Sequence, residues 1–333
     1  MMFSDFLESH RAMIDAEIAR VIPKDSPIRN LYDAQWRFIE EGGKRWRPVL
    51  CILVHEALGG SAERVLPFAA GMELVHNFSL IHDDIEDGDR SRRGKPTLWV
   101  LYGVPSAINI GDNLLNKAYE CVANLEEKGF SAAMTLRSLR LLCRAMILLS
   151  EGQAMEMEFR DRWDVTEAEY MEMVWRKTGI LVSTAAAGGA YLAGADESTV
   201  QRMAEYGKLI GPAFQITDDV LNLVGEYGKY KKEIWGDIRE GKKTLMVIHL
   251  LGQLSRGERA RVKSILAKPR RLTTRRDCRY VVDLMKEHGS IDYARRVAEE
   301  MLSEARSKLL CLPKSAHRDR LEELTDFLVR RDF

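Results

Sequence analysis

Ala185-Ala-Ala-Gly-Gly-Ala190 lies in a helical stretch of about Glu167–Leu192 and packs with no bulk at all. A helix apolar over much of its circumference belongs in the middle of a bundle, because water can wet none of its faces. Several other periodic stretches exceed 20 residues, among them about Ser61–Gly88, Ser106–Lys128, Ser131–Trp163 and Ser198–Gly225. Shorter helices are expected at about Phe3–Val21, Leu31–Glu41, Val49–Leu58 (started by Pro48), Lys242–Gln253, Gly257–Ala267, Arg275–His288, Ile291–Leu310 and Ala316–Arg331. Gly94–Gly103 reads as a loop and Lys229–Gly241 as a basic loop. Strand signals are almost absent, and most of the nine prolines fall between helices. No repeat, linker or composition shift divides the chain. The expectation is one all-α domain over residues 1–333, a large helical bundle with a central apolar cavity.

Fifty basic and fifty acidic residues cancel in 333, so a strongly basic nucleic-acid-binding surface is not suggested. Cys51, Cys121, Cys143, Cys278 and Cys311 show no metal-ligand spacing, and an odd count of isolated thiols suits a reducing compartment. The first ten residues lack a basic n-region followed by an apolar run, so no signal peptide is read there. No run reaches about 18 apolar residues, the length a spanning helix needs. A cytoplasmic protein without a transmembrane segment is expected.

The chemistry begins at Leu80-Ile-His-Asp-Asp-Ile-Glu-Asp-Gly-Asp-Arg-Ser-Arg-Arg-Gly-Lys95. The apolar run Gly71–Ile81 leads into it as a helix, so Asp83 and Asp87 stand at i and i+4 on one face. Two carboxylates one turn apart repel unless a cation lies between them. Hard oxygen ligands suit Mg²⁺, which takes its remaining ligands from water and substrate phosphates. Arg90, Arg92 and Arg93 follow, and could balance a phosphate's remaining charge. The plain alternative is a solvated charged helix end.

A second acidic pair, Asp218-Asp219, sits inside the apolar run Gly211–Asn222. Gln215, Asp218, Asp219 and Asn222 fall at i, i+3, i+4 and i+7 and share a face. Buried carboxylates need a partner or a metal. A pair satisfied by Arg or Lys would be the ordinary reading of one such helix; two Asp-Asp helices in one helical chain shift it toward a mouth that binds metal ions and a diphosphate. Gly42-Gly-Lys-Arg-Trp-Arg-Pro48 places Lys44 and Arg47 before a helix start, which is an anion site or a basic surface loop. Lys229, Lys231, Lys232, Arg239, Lys242 and Lys243 follow the second acidic site, and Lys232 and Lys242 could reach a phosphate held there. Gly152-Gln-Ala-Met-Glu156 and Lys177-Thr178 set polar groups into apolar helices, either as helix–helix hydrogen bonds or as edges of a cavity. Together these describe a protein handling two diphosphates with apolar tails. Metal ions and cations stabilise diphosphate as a leaving group, and the allylic cation left behind needs a dry cavity.

These residues resemble the trans-isoprenyl diphosphate synthases, or polyprenyl synthetases, over nearly the full length, and most of all the geranylgeranyl diphosphate synthases. Asp83-Asp84-x-x-Asp87 with Arg92-Arg93-Gly94 is similar to the family's first aspartate-rich motif. Gly42-Gly43-Lys44-x-x-Arg47-Pro48 resembles its isopentenyl diphosphate loop, and Gly152-Gln153, Lys177-Thr178, Phe214-Gln215-x-x-Asp218-Asp219 and Asp237-Ile-x-x-x-Lys242 follow in the family's order. The resemblance implies that Asp83, Asp87 and Asp218 hold three Mg²⁺ ions on an allylic diphosphate, which Arg92, Lys177, Lys232 and Lys242 contact. It implies that Lys44, Arg47, His76 and Arg93 bind isopentenyl diphosphate, that Thr178 and Gln215 line the place where the allylic cation forms, and that the chain is a homodimer. The implied reaction is ionisation, attack by the isopentenyl double bond and loss of a proton. The second motif ends in Asn222 where many members carry Asp, and Glu156 stands where Asp is usual.

Product length follows from the helix that carries Asp83. Phe78 lies five residues back, about 7.5 Å along the axis, and Ser79 four back. By resemblance, an aromatic then a small residue implies a twenty-carbon product. Met72, Leu74 and the helix near Ala107, Ile108 and Gly111 could move that floor. Two rivals remain. A class I terpene cyclase shares the first motif, and Asp218, Asn222 and Glu226 loosely resemble its second, but it has no use for Lys44, Arg47 and Arg93. A non-catalytic partner subunit of a synthase usually lacks the first motif, which is intact here.

Overall fold

The computed structural model describes residues 3–225 and 234–329. Its helices are α1 (Phe3–Ile18), α2 (Arg29–Glu40), α3 (Trp46–Ala57), α4 (Ala62–Glu86), α5 (Leu98–Tyr102), α6 (Val104–Ala123), α7 (Ala132–Phe159), α8 (Glu167–Val174), α9 (Ile180–Leu192), α10 (Glu197–Val224), α11 (Gly236–Arg239), α12 (Leu245–Gln253), α13 (Arg256–Leu266), α14 (Arg275–Glu287), α15 (Ser290–Lys308) and α16 (Ala316–Val329). Among the described residues the only strands are β1 (Ser91–Arg92) and β2 (Lys95–Pro96), an antiparallel pair in which Ser91 faces Pro96 and Arg92 faces Lys95. The all-α expectation holds.

The chain divides into two compact units. The first takes the described residues of Met1–Met146, Leu181–Gly207 and Arg306–Phe327. Its core is built from Val49, Leu53 and Val54 of α3, Phe68, Met72 and Val75 of α4, Leu114 of α6 and Ala185, Ala186 and Ala190 of α9, all buried. The small residues of α9 do what their lack of bulk suggests. A Cβ on Gly188 would lie 2.1 Å from the Phe68 ring, and one on Gly189 would lie 2.4 Å from the Cys51 carbonyl oxygen. In the same unit a Cβ on Gly207 of α10 would lie 2.4 Å from Ser183 Cα. Helices α4 and α6 also approach closely, since a Cβ on Gly71 would meet Val122 at 2.9 Å and the Ala118 carbonyl at 3.1 Å.

The second unit takes Ile147–Ile180, Lys208–Ala305 and the described residues of Leu328–Phe333. Capping boxes start three of its helices, with Thr166, Ser255 and Thr274 each accepting from the backbone N–H three residues on. Tyr170, Met173, Ile216, Val220, Met246, Val281 and Met285 are among its buried side chains.

Four local expectations change. The helix expected over Glu167–Leu192 is interrupted at Trp175–Gly179 by a π-helical turn. Gly152 of α7 presses against that turn: a Cβ there would sit 2.3 Å from the Lys177 backbone nitrogen. The loop expected over Gly94–Gly103 contains β2 and α5. Pro48 lies at the third position of α3, not the first, where its missing N–H would still have had no partner within the helix. The expected basic loop Lys229–Gly241 lies partly outside the described residues, and its end forms α11.

Because the Gly189 Cβ would meet main chain, which cannot rotate away, Gly189→Ala should destabilise the protein by about 1–3 kcal/mol through overpacking. A thermal melt checks this; a midpoint equal to wild type would show that α3 and α9 can part at no cost.

Candidate active site

The first unit ends α4 in acid. Asp87 caps the helix with its N–H on the Asp83 carbonyl at 2.8 Å, so the two carboxylates keep the i, i+4 relation read from the sequence. Asp83 is partly exposed, whereas Asp84 is only 2% exposed. Adjacent helical residues point about 100° apart, and here that separates a carboxylate facing outward from one facing in. Asp84 Oδ1 accepts from Arg92 Nε at 2.7 Å. Burial pushes the Asp84 carboxyl up to about 7 against the pull of Arg92, and the guanidinium beside it stays charged.

Arg92 is held from the other side by the hairpin. Arg93 and Gly94 form its two-residue turn, and both have positive φ, 53° and 77°, as the favoured tight hairpin turns require. That turn points Arg93 toward the loop before α3, where its Nη1 donates to the Gly42 carbonyl. Just past that loop, in the first turn of α3, Arg47 Nη1 donates to His76 Nε2 at 3.2 Å. His76 is held well below its ordinary value by burial and then by Arg47 and Arg93, so it is neutral and accepts. Lys44 Nζ lies 4.4 Å from the Phe327 ring centre, within the same unit. The first unit thus brings together Arg47, His76 and Arg93, while the Lys44 ammonium is seen against Phe327, and Asp83, Asp87 and Arg92 stand further along the same helix and hairpin.

Phe78 faces His82 one turn on, with ring centres 4.6 Å apart. Ser79 turns its hydroxyl back to the His76 carbonyl at 2.9 Å. His82 fits beside α6 because Gly111 has no side chain; a Cβ there would lie 2.6 Å from the imidazole.

The second unit holds the other acidic pair. Thr178 Oγ1 donates to Gln215 Oε1 at 3.1 Å, and Gln215 Nε2 donates to Asp219 Oδ1 at 2.8 Å. Tyr170 donates to Asp219 Oδ2 at 3.0 Å. Asp219 is buried, and burial raises its pKa. Asp218, next to it, is half-buried. Lys177 pairs with Glu156 at 2.5 Å from within the π turn, a helical irregularity often found at functional sites. Lys242 pairs with Glu240 at 3.1 Å. Asn222 spends its side chain locally: its Oδ1 accepts from the Asp237 N–H at 3.3 Å, while its carbonyl accepts from Trp235 at 2.9 Å. Lys232 lies outside the described residues.

The chain matches the Polyprenyl synthetase family over residues 28–285. It belongs to that family. Geranylfarnesyl diphosphate synthase of Aeropyrum pernix is 39% identical to this family member over 305 residues, covering 90% of this chain and 94% of the relative. The crystal structure of geranylgeranyl pyrophosphate synthetase from Pyrococcus horikoshii superposes with a TM-score of 0.91 at 39% identity, covering 99% of this chain and 98% of that one. A polyprenyl synthase from Caulobacter crescentus, complexed with calcium and isoprenyl diphosphate, gives a TM-score of 0.88 at 28% identity, covering 99% of this chain and 97% of that one. As a polyprenyl synthetase this chain is a prenyltransferase making a short-chain prenyl diphosphate.

Sequence reasoning assigned no role to Asp84 or Tyr170, although each clamps a group it did single out. The doublet itself was the available signal for Asp84. Nothing near Tyr170 pointed to Asp219, because 49 residues separate them.

Folded Asp84 keeps its proton to about pH 7, whereas an unfolded Asp releases it near 4. Stability contributed by the proton is therefore full below about pH 4 and lost as pH rises to 7. The melting difference between wild type and Asp84→Asn should shift against wild type across that window. A difference independent of pH would show that Asp84 is ionised throughout.

Proposed function

We propose that this polyprenyl synthetase condenses isopentenyl diphosphate head-to-tail with an allylic diphosphate and releases geranylgeranyl diphosphate. The observation that supports this is that the first unit carries a basic set, Arg47, His76 and Arg93 with Lys44 next to them in sequence, and that each unit carries an aspartate doublet with one half-exposed member. A basic group alone binds an anion; an acidic group binds one only through a metal. Two differently charged sets therefore suit two diphosphates held in different ways.

The residues fit Mg²⁺. Among the described residues no cluster of three or more His, Cys, Asp or Glu side chains could hold an ion alone. That suits an ion bound by one or two carboxylates and completed by substrate phosphate and water. Asp83, Asp87 and Asp218 would be the protein ligands of three such ions when diphosphate is bound. The ions would supply the charge that makes diphosphate leave.

Arg92, Lys177, Lys232 and Lys242 contact the allylic diphosphate in this reading, and Asp84 and Glu156 orient the first two. Thr178 and Gln215 line the place where the cation forms in this reading, each held in position by the hydrogen bonds that run from Thr178 through Gln215 to Asp219. Isopentenyl diphosphate rests on the basic group, and the departing diphosphate takes the proton lost after carbon–carbon bond formation. Phe78, backed by His82, sets the tail's floor. The whole chain serves as one catalytic domain in the cytoplasm, as a homodimer. Among the described residues no helix is long and apolar enough to cross a membrane. A twenty-five-carbon product is the second reading, favoured by the likeness to the Aeropyrum pernix enzyme.

Purified protein should be given Mg²⁺, labelled isopentenyl diphosphate and, in turn, dimethylallyl, geranyl and farnesyl diphosphate. The expected product is the twenty-carbon diphosphate, and Phe78→Ala should lengthen it by at least one five-carbon unit. Asp83→Ala should lower kcat at least about a hundredfold, the scale of losing a charge-stabilising group. A wild-type product of fifteen or twenty-five carbons would remove Phe78 as a twenty-carbon floor. A hydrocarbon made without isopentenyl diphosphate would make the protein a cyclase.

A further inference from the structure

We infer that Arg45 is a positioning residue for isopentenyl diphosphate, fixing where Lys44 and Arg47 stand by anchoring the cap of α3 between them to half-buried Asp15 and buried Glu73. The inference rests on the proposed reading of those two residues and extends it to a side chain that touches no substrate.

Arg45 is only 1% exposed, though it lies between two residues assigned to substrate. Its backbone is left-handed, φ 49°, at the cap of α3. A non-glycine residue adopts that conformation when its surroundings hold it there. What holds it is the guanidinium. Nε donates to Asp15 Oδ1 at 3.1 Å, Nη1 to Glu73 Oε1 at 3.0 Å and to the Gly42 carbonyl at 3.2 Å, and Nη2 to the Ile39 carbonyl at 2.7 Å. Burial works against its charge, but Glu73 and Asp15 outweigh burial and keep it protonated.

The loop is built around this fork. A Cβ on Gly43 would lie 2.7 Å from Arg45 Nη1 and 3.2 Å from Arg93 Nη2, so the absent side chain leaves room for both guanidiniums. The Gly42 carbonyl takes hydrogen bonds from Arg45 and Arg93 alike. On α4, Glu73 holds Arg45 and His76, three residues on, holds Arg47. One helix face therefore sets both ends of the stretch. Asn77 braces Glu73 from the next turn, donating to its Oε1 at 3.1 Å. Buried ion pairs are poor sources of net stability, and an apolar side chain would fill such a space as well. A planar fork with four acceptors supplies direction, which a lysine ammonium cannot reproduce.

The test measures KM for each substrate separately, in wild type, Arg45→Lys and the double variant Arg45→Met/Glu73→Gln. The double variant removes both charges of the buried Arg45–Glu73 pair, so neither is left unpaired. Circular dichroism and melting confirm folding. KM for isopentenyl diphosphate should rise at least tenfold in each folded variant, while KM for the allylic diphosphate stays within twofold. A folded variant with an unchanged KM for isopentenyl diphosphate, or with both constants raised equally, would reduce Arg45 to a structural residue. Wild-type protein that fails to elongate at all would overturn the functional reading itself, which is a separate result.

Discussion

Each aspartate doublet is divided by burial, and the charge geometry of the chain follows from that division. Asp84 turns inward and holds Arg92. Asp219 turns inward and is held by Gln215 and Tyr170. Asp83 and Asp218 remain partly exposed beside them. Asp219 has both oxygens on protein donors and Asp84 has one oxygen on Arg92, and a carboxylate turned into the protein in this way acts as a brace. One member of each doublet thus fixes the cations and amides of its site, and the other can meet a metal ion. The arrangement arises from the helix itself, since consecutive residues cannot share a face.

The same economy recurs along α4. Glu73 directs Arg45, His76 accepts from Arg47, and Asp84 directs Arg92. Three acceptors spaced over three turns arrange three arginines, one at the cap of α3, one in its first turn and one in the hairpin. The hairpin adds a second constraint, because the left-handed turn at Arg93 and Gly94 brings Arg93 onto the Gly42 carbonyl. Along α4, then, side chains are placed by side chains that hold them.

Much of this was readable beforehand, and the reasons are physical. The length and apolar circumference of the helices dictated a bundle, and the bulk-free run in α9 announced the close approach that Gly188 and Gly189 make. Asp83, Asp87, Gln215 and Asp218 were visible because helical spacing converts sequence distance into a shared face. The π turn was not, since periodicity averages over one extra residue; its cause lies in Gly152, 25 residues from Lys177. Tyr170 and Asp15 were equally invisible, because their partners are set by tertiary packing. Asn222 stands in the sequence where many members carry Asp, and its hydrogen bonds to Trp235 and Asp237 were not legible there because they too are set by packing.

The central claim is that the two diphosphates are held differently, one by cationic side chains without metal and one by metal on carboxylates together with cationic side chains. Equilibrium binding of isopentenyl diphosphate and of an unreactive allylic thiolodiphosphate, each with Mg²⁺ and with chelator, tests it most directly. The account expects chelation to weaken the allylic analogue at least about tenfold, a loss of about 1.4 kcal/mol, and to leave isopentenyl diphosphate unchanged. Equal metal dependence of both ligands would contradict it, because a single shared mode of holding diphosphate would then suffice.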